Sequence, residues 1–279
     1  MTNVIRTHAL RRFSGNRSAV VGLVIVLGLF LCALFAPLLV SRPPDDQDLL
    51  ARLTAPSLAE PFGTDEFGRS VLSRVLYGSR LSLLSGLVPV VSALVIGTVL
   101  GLLSGYFRGW LDTLLMRTMD VLLAFPSLLL ALGIVGALGP GFKNALIAVA
   151  LVEIPQYARI VRSVVLGVRE EDFVQASKAL GAGNTRLIVR HLLPTTLPAL
   201  MVQATLGVGF AILSMAGLSF LGLGVQPPIA DWGQMLSSAR TYMAGNGWLL
   251  LFPGLAISLT VLGFNLLGDG LRDALGINR

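Results

Sequence analysis

Long apolar runs separated by short polar segments dominate the pattern of this chain. About 20 apolar residues are needed to cross ~30 Å of hydrocarbon at ~1.5 Å per residue. Six runs meet or approach this length, at residues 19–40, 81–106, 118–138, 145–166, 198–223 and 248–268. The first run is longer than the ~7–15-residue core of a cleaved signal peptide, so we interpret it as a transmembrane helix. The pattern predicts an all-α membrane protein with six transmembrane helices.

One polar segment, residues 170–194, interrupts this pattern and predicts two short helices in water. The first helix begins with three consecutive acidic residues, which the helix dipole favours at that end, and stops at Gly181. The second begins near Asn184 or Thr185, which are good N-caps, and ends at Pro194. We therefore expect a helical hairpin at this position.

The predicted hairpin has an apolar face that it is too short to bury by itself. Phe173, Ala176 and Leu180 recur at i, i+3 and i+7, so they share one side of the first helix. An exposed apolar helix face of this kind favours docking into a groove of another protein. The alternative is an ordinary loop between two membrane helices.

The second apolar run carries glycines at a spacing of four residues. Gly97, Gly101 and Gly105 therefore lie on one face of the predicted helix. Small residues in this arrangement permit close approach of a second membrane helix. We expect this face to be a helix-packing surface.

Composition supports a polytopic membrane protein and excludes several other classes. The chain is 54% hydrophobic and 13% charged, about half the charged fraction of a typical soluble domain. Its basic residues flank apolar runs instead of forming a stripe, so no nucleic-acid partner is predicted. The single Cys32 and the isolated His8 and His191 offer no set of converging ligands, so no metal site is predicted.

The scarcity of lysine excludes a nucleotide-binding P-loop. That loop requires the sequence Gly-Lys-Ser/Thr, but Lys143 and Lys178 lie in other contexts. No catalytic constellation is evident, so the chain is predicted not to be an enzyme. If ATP drives its activity, the ATPase must be a separate polypeptide.

The distribution of basic residues predicts the orientation of the chain. With the N-terminus inside, the inner segments hold 14 basic residues and the outer segments hold 7. This bias places both termini and the hairpin in the cytoplasm. We divide the chain into a cytoplasmic N-terminus with the first helix (1–40), a periplasmic segment (41–80) and a five-helix core (81–279).

Two acidic residues within the spans, together with Pro126, are candidates for the translocation path. Asp120 lies near the inner end of the third span, where pairing with Arg117 is the alternative role. Glu153 lies in the middle of the fourth span, where it would contact a cationic substrate or a partner helix, or else line a water-filled cavity. Three prolines are predicted to interrupt spans, as pivots or fixed kinks: Pro126, Pro155 and Pro198.

Three stretches of the sequence resemble a known family. They are GTDEFGRSVLSR at 63–74, QASKALG at 175–181 with RHLLP at 190–194, and SFLGLGVQPP at 219–228 with WGQM at 232–235. Together they resemble the permease subunits of bacterial ABC importers for dipeptides and oligopeptides. The similarity is strongest to the second of the two permease subunits.

The resemblance implies a type I ABC importer permease fold in the bacterial inner membrane. It also implies a heterodimer of permeases, two cytoplasmic ABC ATPase subunits that hold ATP and Mg, and a periplasmic or lipid-anchored substrate-binding protein. This chain would itself hold no cofactor and would contact membrane lipid. Other solutes of such permeases, including nickel and glutathione, remain alternatives, as do an ion-coupled secondary transporter and a structural membrane subunit.

The resemblance also assigns candidate site residues. The family motif is Glu-Ala-Ala, three residues, then Gly, whereas this chain has Gln175-Ala176-Ser177 and Gly181. Coupling to the ATPase is thus expected at Asp172, Phe173, Gln175, Ala176, Ser177, Leu180, Gly181, Arg186, Arg190 and Pro194. Contact with the substrate-binding protein is expected at Gln226, Pro227 and Trp232, where anchoring of the aromatic ring at lipid headgroups is the alternative.

Overall fold

The computed structural model describes residues 15–276, which are helical apart from loops and one isolated bridge between Thr64 and Ser70. His8, Arg279 and the basic residues before residue 15 lie outside the described residues. The helices are α1 (Arg17–Leu39), α2 (Val71–Phe107), α3 (Gly109–Leu123), α4 (Ser127–Leu138), α5 (Phe142–Val168), α6 (Asp172–Ala179), α7 (Asn184–Leu187), α8 (Leu193–Phe220), α9 (Trp232–Ala239) and α10 (Trp248–Leu275). Short 3₁₀ turns lie at Leu49–Ala51 and Arg240–Tyr242, and a π-helical turn, Ile188–Leu192, joins α7 to α8.

Five helical segments of the described chain are long and apolar enough to cross a membrane, and counting one bent pair as a span gives six. The five are α1, α2, α5, α10 and the continuous segment from α7 to α8. The sixth consists of α3 and α4, which meet at an angle of 94°. The predicted all-α architecture with six spans is confirmed.

The predicted interruption of a span is present at Pro126, whereas the helix continues through Pro155 and Pro198. Pro126 has an extended backbone, with ψ 128°, and separates α3 from α4. It cannot donate the backbone hydrogen bond that would continue a helix. Pro155 and Pro198 instead lie inside continuous helices, α5 and α8. The segment 118–138 is therefore not one straight span.

The helix of the second span begins at Val71, earlier than the predicted start at Leu81. The reason is a buried cation in its first turn. Arg74 has only 2% of its side chain exposed, and its guanidinium donates to the carbonyl oxygens of Pro44 at 3.2 Å and Pro228 at 3.3 Å. The segments that precede α2 and α9 thus supply acceptors for the charge, so the helix extends beyond the apolar run.

The predicted glycine face of α2 packs against α5, as expected. An added Cβ at Gly97 would lie 2.6 Å from the Cβ of Tyr157, and one at Gly105 would lie 2.8 Å from Val165 Cγ1. At Gly101 it would lie 2.5 Å from the carbonyl oxygen of Ala158. These distances are shorter than carbon atoms normally tolerate. The glycines therefore allow the two helix backbones to touch.

The second helix of the hairpin does not end at Pro194, contrary to the sequence prediction. Helical backbone continues from Asn184 through the π-helical turn into α8. Pro194 is the second residue of α8, where a missing N–H group is tolerated because the preceding turn has π-helical spacing. The hairpin is consequently a direct extension of a membrane span.

Candidate functional site

The hairpin formed by α6 and α7 is fixed to the ends of α2 and α5. Arg169, which follows α5, donates to the carbonyl oxygens of Gly105 at 3.3 Å and Tyr106 at 3.1 Å. The Tyr106 hydroxyl donates to Asn184 Oδ1 at 2.7 Å. These bonds connect both halves of the hairpin to the end of α2.

The ends of α6 largely follow the sequence prediction. Asp172 lies in its first turn and Glu171 is the N-cap residue. Gly181 follows the helix with φ +84°, the left-handed conformation that glycine adopts most easily. The N-cap of α7 is Gly183, not Asn184 or Thr185. The side chain of Asn184 instead accepts the hydrogen bond from the tyrosine.

Gln175 occupies the position of the acidic residue in the family motif. Its amide Nε2 donates to the carbonyl oxygen of Arg169 at 2.9 Å. An ionised glutamate has no hydrogen to donate to a carbonyl oxygen. Ser177 lies 3.2 Å from His191 Nε2 and joins α6 to the π-helical turn. Gln175 therefore connects α6 to the residue that follows α5, and Ser177 connects the two halves of the hairpin.

The outer surface of the hairpin remains apolar and basic. The exposed fractions are 49% for Phe173, 89% for Leu180 and 56% for Val189, whereas Val174 and Leu187 are buried against the rest of the chain. The other exposed members of the predicted coupling set are Asp172, Gln175, Ala176, Gly181, Arg186, Arg190 and Pro194. The structure thus brings these residues together on one exposed element.

Asp120 has a nearer partner than the one expected from sequence. Its Oδ1 lies 2.5 Å from Arg159 Nη2 on α5, and its Oδ2 lies 3.8 Å from Arg117 Nη1. Arg159 was not predicted as its partner. The signal that could have identified it is the spacing of polar residues along α5, since Gln156, Arg159 and Ser163 recur at i, i+3 and i+7.

Glu153 lies in the helix packing and not on an open path. Its residue is 2% exposed, and its Oε2 lies close to Gly207 of α8, beside the hydroxyl of Tyr157. A carboxyl group this buried offers no surface to a passing cation. The predicted place on the translocation path is therefore corrected for Glu153.

Trp232 also has a different role from the one predicted. It is 1% exposed, its indole N–H donates to the carbonyl oxygen of Val75 at 2.9 Å, and its backbone N–H donates to the Ser82 hydroxyl at 3.1 Å. It therefore has no surface for an external protein or for lipid headgroups. Gln226 and Pro227 remain exposed.

The start of α9 carries a buried carboxylate that ties it to α2. Asp231 accepts hydrogen bonds from the Ser82 hydroxyl at 2.9 Å and from the backbone N–H of Gln234 at 3.1 Å. Burial raises the pKa of Asp231 above its ordinary value, and these hydrogen bonds act in the opposite direction. This cluster therefore links the start of α9 to α2.

Comparisons with known proteins agree with this architecture. Residues 97–276 match the family described as "Binding-protein-dependent transport system inner membrane component", and residues 7–56 match the N-terminal transmembrane domain of oligopeptide transport permease C. The fold resembles an inward-facing structure of the MetNI methionine ABC transporter. The TM-score is 0.61 at 21% identity, covering 74% of this chain and 96% of that one.

Relatives with higher identity are peptide permeases by name. The chain is 51% identical to a dipeptide transport system permease protein of Alkalihalophilus pseudofirmus, over 96% of this chain and 88% of the relative. It is 49% identical to a di/tripeptide transport system permease protein of Pseudomonas aeruginosa, over 94% and 89%. A glutathione transport system permease protein of Pectobacterium atrosepticum is 43% identical, over 95% and 88%. The chain belongs to the binding-protein-dependent inner-membrane transport permeases, a family of transporters and not of enzymes, and has the type I ABC permease fold.

Proposed function

We propose that this chain is one of two permease subunits of an ATP-driven importer that moves dipeptides or other short peptides across the inner membrane. The relatives named for dipeptides and di/tripeptides, at 51% and 49% identity, support this substrate class. The relative named for glutathione is less similar, at 43%. A second, homologous permease completes the pore, and a periplasmic or lipid-anchored binding protein delivers the peptide.

The observation that carries the proposed coupling mechanism is the exposed face of the hairpin. Phe173 of α6 and Leu180 directly after it are large exposed apolar side chains, and the hairpin that carries them is anchored at its base. Such a face is stabilised when a groove in a partner covers it. The partner in this proposal is a cytoplasmic ABC ATPase subunit, which binds ATP and Mg.

The proposed mechanism is alternating access. Closure of two ATPase subunits around ATP moves the two hairpins, and the spans attached to them open the path toward the binding protein. Because the second half of the hairpin continues into α8, its displacement passes directly to a membrane span. ATP shifts the balance only through contacts that differ between the two conformations. In this arrangement both termini are cytoplasmic.

Two fully exposed leucines provide a matched test. Leu180 is 89% exposed on the hairpin, and Leu58 is 105% exposed in the segment between α1 and α2. The complete complex is reconstituted in proteoliposomes, and ATPase stimulation by the loaded binding protein is measured together with dipeptide uptake. We expect Leu180→Asp to assemble but to lose both activities, and Leu58→Asp to retain them.

Full uptake by the Leu180→Asp complex would contradict the coupling proposal. The substrate proposal is tested separately, by comparing uptake of a labelled dipeptide, glutathione and nickel by the unaltered complex. Uptake of nickel or glutathione without dipeptide uptake would overturn it. Labelling of Leu180→Cys in a Cys32→Ser background from the periplasmic side only would overturn the proposed orientation.

A further inference from the structure

A row of polar side chains follows the exposed side of α5 near the middle of this long helix. Gln156, Arg159 and Ser163 share one helix face, and all three are exposed. Pro155 is the midpoint of this 27-residue helix, so Arg159 lies about 6 Å and Ser163 about 12 Å from the middle along the axis. A centred hydrocarbon core extends ~15 Å to either side.

Two neighbouring helices extend this row. Gln203 of α8 donates from Nε2 to Gln156 Oε1 at 3.0 Å. On α3, Asp120 accepts a hydrogen bond from Arg159 at 2.5 Å and lies beside Arg117. We call this surface the polar wall, and it consists of Arg117, Asp120, Gln156, Arg159, Ser163 and Gln203.

The polar wall is unsuited to contact with lipid tails. The side chain of Arg117 is 80% exposed and that of Arg159 is 50% exposed. A charged side chain at the centre of a membrane helix costs ~2.5–3.5 kcal/mol on insertion scales. Many other exposed positions on the spans are apolar, for example Leu38 at 81% and Val95 at 55%. The polar wall is therefore better suited to contact with water than with lipid tails.

The ion pairs between α3 and α5 differ in how fully they are satisfied. Both carboxylate oxygens of Asp112 bind Arg162, at 2.6 and 2.7 Å, and one also accepts from the Ser104 hydroxyl. Asp120, in contrast, is the single carboxylate for Arg159 and Arg117 in the polar wall. One positive charge is thus in excess, and guanidinium groups present the paired donors that bind carboxylates.

We propose that the polar wall lines the water-filled path and that Arg159, with Arg117 beside it, receives the C-terminal carboxylate of a short peptide. The incoming carboxylate takes the place of Asp120 on the guanidinium. Gln156 lies one turn from Arg159, within about 5–6 Å, where its amide and that of Gln203 match the peptide groups of the substrate. This inference rests on the proposed peptide transport and assigns its carboxylate site.

Cysteine labelling tests whether the polar wall is accessible to water. In a Cys32→Ser background, Ser163→Cys is compared with Val95→Cys, which is 55% exposed on an apolar face. Both are assembled into the complete complex and treated with charged methanethiosulfonate reagents. We expect rapid modification of Ser163→Cys and no modification of Val95→Cys. An unreactive Ser163→Cys would overturn the proposal and indicate a surface sealed by the second permease.

The ratio of reaction rates with an anionic and a cationic reagent tests whether Arg159 contributes positive charge near residue 163. One unit charge at about 6 Å in a water-like dielectric changes each rate about threefold, in opposite directions. Arg159→Gln should therefore lower the anionic-to-cationic ratio at Ser163→Cys about tenfold, whereas Arg159→Lys should preserve it. An unchanged ratio in Arg159→Gln would refute the proposed site.

Substrate protection tests the carboxylate itself. A dipeptide with a free C-terminus and the same dipeptide as its C-terminal amide are added to inside-out vesicles, so that the binding protein plays no part in selection. We expect only the free acid to slow labelling of Ser163→Cys, and Arg159→Gln to abolish that protection. Equal protection by acid and amide, or protection by neither, would contradict the assignment. Dipeptide uptake by the unaltered complex separates this failure from failure of the proposed function.

Discussion

The close contact of α2 and α5 makes a quantitative prediction at Gly101. A methyl group at this position would lie 2.5 Å from the carbonyl oxygen of Ala158 and 2.6 Å from Val161 Cβ. Favourable contacts lie at ~3.5–4.0 Å, so the two helices must separate by roughly 1 Å. Overpacking of this kind typically costs ~1–3 kcal/mol, and the higher helix propensity of alanine offsets up to ~1 kcal/mol of it. We expect Gly101→Ala to destabilise the protein by about 1–2 kcal/mol.

A matched glycine on another span isolates the packing effect. Gly254 lies inside α10, and an added Cβ there has no neighbouring atom within 4 Å. Gly254→Ala should therefore leave stability unchanged or raise it slightly, because only the propensity gain remains. The same chemical change is thus expected to lower stability at Gly101 and not at Gly254. The comparison therefore controls for any general effect of adding a methyl group to a span.

The assay is thermal unfolding of the assembled complex, followed by fluorescence-detected size-exclusion chromatography. We expect the apparent Tm of Gly101→Ala to fall by several degrees and that of Gly254→Ala to stay at or above the unaltered value. Equal Tm values for Gly101→Ala and the unaltered complex would refute the argument, because they would show that the contact between α2 and α5 accommodates the added methyl group without cost.

Three further predictions concern the hairpin, the cluster at the start of α9 and the ion pairs. Gly181→Asp, which places a side chain at φ +84°, should assemble yet lose ATPase stimulation, and normal stimulation would refute this. Trp232→Phe should lower the free energy of unfolding by ~0.5–1.5 kcal/mol, because it removes the hydrogen bond to the Val75 carbonyl oxygen. It should leave the affinity for the binding protein unchanged, and weaker binding in a titration would instead support the predicted contact of Trp232 with that protein. A double-mutant cycle on Arg162 and Asp112 should give a coupling energy of ~1–3 kcal/mol, and a value within the ~0.2–1 kcal/mol of exposed pairs would show that the bidentate geometry adds nothing.

The features that were predictable from sequence are those set by local patterns. The first and last spans, the glycine face at Gly101 and the end of α6 at Gly181 follow from apolar length, four-residue spacing and backbone preference. Each of these depends on residues within one segment. The structure therefore agrees with them closely.

The features that were missed depend on partners far along the chain. Arg74 extends α2 outward because carbonyl groups 30 and 154 residues away accept its hydrogen bonds. Trp232 is buried because α2 supplies an acceptor 157 residues away, at Val75. Arg159 was overlooked because its partner Asp120 belongs to a half-span whose bend at Pro126 the apolar pattern does not show.

The arrangement of contacts around α5 divides the described chain into a tightly and a loosely joined part. α2 is fixed to α5 through backbone contact at Gly101, and Arg169 fixes the hairpin to the end of α2. α3, in contrast, has a bend at its far end and is linked to α5 by the ion pairs of Asp112 and Asp120. Close-packed backbone cannot yield without losing many contacts, whereas an ion pair facing water can exchange one partner for another. If the proposed coupling holds, we expect a force applied at the hairpin to move α2 and α5 as one body and to concentrate the change at the junction with α3, where Arg159 lies.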